Sequence, residues 1–194
     1  MALSIEEMRA QALGLRKEGL NSQQIADELS LSQDTISWLL TEGAVEERPT
    51  DVHIGWRSIG VRPERIAAIG SIMADIADEE LGASDIDTIV GISINGISFA
   101  HEVARCLGSE YTIYRNVEGD DGHGVLSNKY GQVSGKKVVI IDDVLSSGTT
   151  LGKAIESIRN AGGEVGLAIV LVNKTSRNEV DGVPLRGIIR AVPV

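Results

Sequence analysis

Two adjacent carboxylates, Asp142 and Asp143, are followed two residues on by Ser146, Ser147, Gly148, Thr149 and Thr150, and this run is the part of the chain best suited to chemistry. Hydroxyls and backbone N–H groups gathered around one glycine suit a phosphate, and a helix beginning at their end points its positive dipole at the same anion. Carboxylates just upstream can accept hydrogen bonds from a sugar diol. A second junction of the same kind carries Ser93, Ile94, Asn95 and Gly96. Gly91 and Gly96 let backbone approach a ligand closely, and the helix after Asn95 again presents N–H groups. Neither run is a G-x-x-x-x-G-K-[ST] or a G-x-G-x-x-G fingerprint. For each junction taken alone, an ordinary capped helix is the plain alternative.

These residues need a frame to hold them. Val138, Val139, Ile140 and Ile141 form an unbroken β-branched run, the pattern of a strand covered on both faces. After the hydroxyl run, Leu151, Ala154, Ile155 and Ile158 recur at helical spacing. The same reading predicts a helix over 65–81, a strand over 86–94, a helix over 96–107 and a strand over 111–115. It continues with a strand over 137–141, a helix over 149–161 and a strand over 164–172. Strands alternating with helices imply an α/β fold, a parallel sheet flanked by helices, with ligands bound outside the carboxyl ends of the strands.

The start of the chain has another character. Ser4 and Glu7 have capping-box spacing ahead of Met8, Ala12 and Leu15, and Gly19 is placed to end that helix. A second helix is predicted over 23–29 and a third over 33–40, with Ser30, Leu31 and Ser32 between them. Three short helices with a tight turn between the last two match the helix-turn-helix unit. The segment from Gly19 to Leu40 resembles helix-turn-helix repressors of bacteria and archaea, with small Ala26 at the helix crossing and Leu31 in the turn. Ser32, Gln33, Asp34, Thr35, Ser37 and Trp38 are the candidates for contact with a double-stranded DNA operator, because amide and hydroxyl groups suit base edges and phosphates. Residues 1–48 hold four Lys/Arg against nine Asp/Glu, a net of −5, so DNA affinity should be modest and salt-sensitive. A helical cap for oligomerisation is the alternative for this unit. The domain expectation is 1–43 for the helices, 44–61 for a linker and 62–194 for the sheet.

The 194 residues carry a net charge of −10, which favours solubility and argues against unselective nucleic-acid binding. No apolar run approaches the ~20 residues of a membrane span, and no signal segment is evident. The single Cys106 excludes an internal disulfide and suits a reducing cytoplasm.

The acidic pair and its hydroxyl loop closely resemble the phosphoribosyl-diphosphate (PRPP) motif of type I phosphoribosyltransferases, and orotate phosphoribosyltransferases are the nearest by these motifs. The resemblance implies that Asp142 and Asp143 hold the ribose hydroxyls. Residues 146–150 would cradle the 5′-phosphate, and Ser93, Ile94, Asn95 and Gly96 would form the diphosphate loop. It also implies Mg²⁺ accompanying bound PRPP. Two departures bear on catalysis. Asn95 stands where that family commonly has a lysine, and the loop over 115–124 contains Glu118, Asp120, Asp121 and His123 but no lysine. A diphosphate leaving group needs cationic stabilisation, so no catalytic residue and no metal ligand is assigned. Taken whole, the chain resembles the archaeal orotate phosphoribosyltransferase-like transcriptional regulators, the GfcR family. That implies a DNA-binding homodimer, or higher oligomer, that senses PRPP or a related ligand. The alternative is an active phosphoribosyltransferase, for orotate or a purine base, with an appended regulatory domain.

Overall fold

The computed structural model describes residues 4–41, 51–55, 57–116 and 124–192. These fall into two compact units, one running from the N-terminus to Trp56 and the other from Arg57 to Val192.

In the first unit, α1 (Ile5–Lys17), α2 (Ser22–Leu29) and α3 (Gln33–Leu40) each start at a side-chain cap. The capping box of Ser4 and Glu7 forms as its spacing predicts, and Asn21 with Gln24 makes a second one. Such caps satisfy N–H groups that a short helix cannot pair internally, typically at ~1 kcal/mol each. Ser30 turns the chain with a left-handed φ of 50°, which brings Leu31 N–H back to the Ala26 carbonyl. Leu31 is thereby buried with Ala12, Ile25, Ala26, Ile36 and Leu39 in the core of this unit.

The second unit begins with a short helix α4 (Arg57–Gly60), inside the stretch expected to be linker. Next come α5 (Pro63–Leu81), β1 (Thr88–Ile92), α6 (Gly96–Leu107), β2 (Glu110–Arg115) and β3 (Val125–Leu126). The chain ends with β4 (Lys137–Leu145), α7 (Thr149–Asn160), β5 (Glu164–Asn173), β6 (Glu179–Val180) and β7 (Val183–Arg190). The sheet order is β3-β2-β1-β4-β5-β7-β6. Five central strands run parallel, while β3 and β6 pair antiparallel at the two edges. The sequence pattern did not foretell β3, β6 or β7. The first two have two residues each, too few to carry a period, and β7 alternates too weakly to be read.

One face of the sheet packs Val90, Val138, Ile140, Ala168 and Val170 against Leu151, Ala154, Ile155 and Ile158 of α7. On the rest of the sheet α6 packs against β1 and β4, and α5 against α6 and β5. Both faces are covered, so Ile89, Val139, Ile141, Leu167 and Ile169 are buried too. This explains why β1, β4 and β5 read as continuous apolar runs.

Candidate functional site

The site lies where the strand order reverses. β1 is followed outward by β2 on one side, and the chain then crosses to place β4 on the other. A crevice at the carboxyl ends of the strands opens at such a reversal. β4 pairs with β1 only as far as Gly91 opposite Ile141, yet it continues beside β5 to Leu145 opposite Asn173. The strand is therefore four residues longer than its β-branched run predicted. Val144 and Leu145 keep it extended, and ten-residue β5 gives it a partner to the end. Asp142 and Asp143 consequently sit within the strand rather than beyond it.

The edge of β4 that β1 leaves unpaired is met by the second candidate loop. A Cβ on Gly96 would fall 2.6 Å from the Ile141 carbonyl oxygen, 3.0 Å from Asp142 Cα and 3.1 Å from Asp142 Oδ1. Only a glycine lets the start of α6 approach the acidic pair this closely. Just before it, the Ser93–Ile94 peptide is cis and the Ile94 side chain is 76% exposed. The two junctions, about fifty residues apart in sequence, thus form one continuous rim.

The two carboxylates are not equivalent. Asp142 is half-buried, and its Oδ1 accepts from the Asp143 N–H at 2.9 Å. Asp143 is only 8% exposed, so the pair is not presented to solvent alike. Burial raises the Asp143 carboxyl above the usual aspartate value. Hydrogen bonding shared with the Asp142 carboxyl, and from the Val144 N–H and the Asn95 side-chain amide, opposes that rise. Asn95 is therefore engaged with the acidic pair and makes no side-chain cap for α6.

Residues 146–150 form the expected turn. Gly148 has a φ of +85° and caps α7, whose first helical bond runs from Gly152 N–H to the Gly148 carbonyl. Ser147 Oγ accepts from Thr149 N–H at 3.3 Å and lies 3.0 Å from Thr149 Oγ1. Ser147 and Thr149 are exposed, with Ser146 and Thr150 half-buried. A cleft of about 650 Å³ borders the turn, lined by Ser147, Gly148, Thr149, Lys153, Arg177 and Asp181 among others. Arg177 comes from the loop after β5 and donates Nη1 to the Ser147 carbonyl at 3.1 Å. In the sequence that loop reads only as a polar run following a strand. Nothing in the sequence singled out Arg177 or the buried Asn173 that shapes the loop.

Of the helical-unit candidates, Gln33, Asp34 and Ser37 are exposed on α3, and Ser32 is half-buried as its cap. Thr35 is not on the outer face. It is 7% exposed, and its Oγ1 lies 2.9 Å from Ser32 Oγ and donates to Asp51 Oδ2 at 2.9 Å. The same carboxylate oxygen accepts the Ser32 N–H at 2.7 Å. Trp38 is half-buried against the helical core, with the Arg9 guanidinium 5.8 Å from its ring centroid. Thr35 turns inward because a threonine on a short helix can satisfy either face. Trp56, Glu118, Asp120, Asp121 and His123 lie outside the described residues, as do 44–50 of the linker and 117–123 of the loop.

A parallel sheet with antiparallel edges, an acidic pair on the strand at its reversal point and a hydroxyl turn opening the next helix define a type I phosphoribosyltransferase fold. The phosphoribosyl transferase domain family matches residues 55–192. Solved structures agree at the level of fold. An orotate phosphoribosyltransferase from Aeropyrum pernix superposes with a TM-score of 0.58 at 20% identity, over 88% of this chain and 93% of that one. The Mycobacterium tuberculosis orotate phosphoribosyltransferase in complex with PRPP gives 0.58 at 17% identity, over 71% of this chain and 80% of its own. Sequence relatives span almost the full length. The transcriptional regulator GfcR of Thermoplasma acidophilum is 42% identical, covering 96% of each chain. That of Picrophilus torridus is 40% identical, over 98% of this chain and 99% of its own. The chain belongs to the phosphoribosyl transferase domain family and, within it, to the GfcR transcriptional regulators. Among the described residues no helix is long and apolar enough to cross a membrane.

Proposed function

We propose that this regulator binds DNA through its N-terminal helices and senses PRPP or a related phosphoribosyl ligand at the end of its sheet, without turning the ligand over. The observation that carries the ligand class is the close approach of Gly96 to Asp142, which sets the acidic pair beside the start of α6. Ribose hydroxyls would donate to Asp142 and, on displacement of the Asn95 amide, to Asp143. The 5′-phosphate would be held by 146–150, and any diphosphate by N–H groups of 93–96. A fold relative solved in complex with PRPP supports that ligand class.

The non-catalytic part rests on charge. The diphosphate loop offers a neutral Asn95 already engaged by Asp143, and the 115–124 loop has no lysine. Stabilising a departing diphosphate requires cations placed where its charge develops. Among the described residues no three His, Cys, Asp or Glu stand together to hold a metal. Mg²⁺ would enter with the ligand's own phosphates, with Asp142 as the carboxylate best placed to meet it.

For DNA, Gln33, Asp34 and Ser37 occupy the exposed face of α3, whose start is fixed by Ser32 and Asp51. A symmetric homodimer would match operator half-sites about one helical turn apart. The ligand would act by binding two arrangements of such a dimer with different free energies. One co-titration tests the reading: operator DNA followed by fluorescence anisotropy at low salt, with and without PRPP and Mg²⁺. A shift in DNA affinity on adding PRPP supports it, and unchanged binding refutes sensing. Steady conversion of any base in a parallel assay with orotate and purines would overturn the non-catalytic part.

A further inference from the structure

Resting on the phosphoribosyl reading, we infer that Arg177 is a positioning residue of the phosphate turn, and that the loop after β5 is the second half of that site. Residues 146–150 contain no cation of their own. Arg177 reaches them from thirty residues away and donates Nη1 to the Ser147 carbonyl at 3.1 Å. The Ser147–Gly148 peptide is not among the cis bonds. In a trans peptide the C=O and the following N–H point to opposite sides. With the Ser147 carbonyl held toward Arg177, the Gly148 N–H is turned the other way, free of the guanidinium and available to an anion. Arg177 therefore acts from behind the turn, through the peptide, and does not touch the phosphate.

The arginine is itself held. Asn173, fully buried at the end of β5, donates Nδ2 to the Arg177 carbonyl at 2.9 Å and accepts from the Thr175 N–H and Oγ1, both at 2.8 Å. Thr175 Oγ1 then accepts the Arg177 N–H at 3.1 Å. Arg190 Nη2 reaches the Arg177 carbonyl at 3.3 Å, and Lys174 N–H donates to the Leu145 carbonyl at 2.8 Å. These bonds fix the loop to the same strand end that bears the acidic pair. Gly148 shares in the fit, since a Cβ there would lie 3.3 Å from Arg177 Nη1. A side chain at 148 would crowd the guanidinium in addition to straining a φ of +85°.

The test uses the full-length protein and ribose 5-phosphate as the probe, with calorimetry and amide NMR read on the same samples. Arg177→Ala should weaken ribose 5-phosphate by roughly tenfold, a change of ~1.4 kcal/mol. Arg177→Lys, which can still donate to the Ser147 carbonyl, should restore most of the affinity. Without ligand, Arg177→Ala should move the amide resonances of Gly148 and Thr149, and Arg177→Lys should move them less. An affinity unchanged in Arg177→Ala while Asp142→Asn loses binding overturns the inference and leaves the ligand reading standing. Wild-type protein that binds no ribose 5-phosphate sinks the ligand reading itself. Gly148 and Thr149 amides that stay in place in Arg177→Ala overturn the inference whatever the ligand result.

Discussion

Short hydroxyl side chains open a helix in both units of this chain, and the two sets do opposite things. At the start of α3, Ser32 and Thr35 turn inward: Asp51 takes the Ser32 N–H and the Thr35 hydroxyl, and Thr35 is buried. At the start of α7, Ser147 and Thr149 bond each other and the local backbone and stay exposed. The first arrangement fixes a helix so that its neighbours Gln33, Asp34 and Ser37 can face outward. The second leaves the helix start itself open to an anion. Residue type alone does not separate these roles. What separates them is whether a carboxylate from elsewhere in the chain arrives to consume the hydroxyls.

Six variants break or sharpen this contrast. The largest effect is expected from Asp142→Asn combined with Asp143→Asn, which should weaken PRPP beyond detection by calorimetry while far-UV circular dichroism stays unchanged. Each lost charge-assisted bond is typically worth ~1.5–3 kcal/mol. Next, Gly96→Ala should push the start of α6 off β4, since its Cβ would fall 2.6 Å from the Ile141 carbonyl oxygen. Overpacking of this kind costs ~1–3 kcal/mol, so both Tm and PRPP affinity should drop, whereas DNA affinity without ligand should hold.

On the other side of the comparison, Asp51→Ala should destabilise the helical unit by ~1–3 kcal/mol, because it leaves the buried Thr35 hydroxyl short of its acceptor. Faster amide exchange across α3 would register it, and unaltered protection would show that the Asp51 contact is idle. Gln33→Ala should instead weaken operator binding with no loss of stability, by ~1–3 kcal/mol if the amide reads a base in bidentate fashion. Thr35→Ala should behave like Asp51→Ala rather than like Gln33→Ala.

The smallest effect concerns Asp143 by itself. Burial lifts its carboxyl above the ordinary aspartate range, so ionisation costs more in the folded state than in the unfolded chain. Its contribution to stability is complete below the unfolded pKa of ~3.9 and is lost as pH rises through the higher folded value. Asp143→Asn should therefore raise Tm at neutral pH. The gain should vanish below about pH 4. A Tm difference that persists unchanged at low pH would show that Asp143 ionisation carries no such cost.

Much of the site was readable in advance because its determinants are local. The β-branched run before Asp142, the hydroxyl turn after it and the 3.6-residue spacing of Leu151, Ile155 and Ile158 are each contained within one element. The capping box at Ser4 and Glu7 is local in the same way. Asn95 was already conspicuous as a neutral residue in a loop where a cation is expected. Its hydrogen bond to Asp143 joins residues on different elements, and no spacing rule reaches across them. Arg177, Asn173 and Asp51 escaped for the same reason, as polar residues in polar stretches whose partners lie elsewhere in the chain.

The sequence by itself determined the alternation of the longer strands and helices, the hydroxyl turn after β4 and the three-helix start, because hydrophobic periodicity and capping act over a few residues. Tertiary structure decided which acid of the pair is buried, that Thr35 turns inward, and that Gly96 and Arg177 flank the site. Those outcomes depend on where the reversal of strand order leaves β4 unpaired and on which distant donors and acceptors fill the space. Burial and close approach are properties of the assembled sheet.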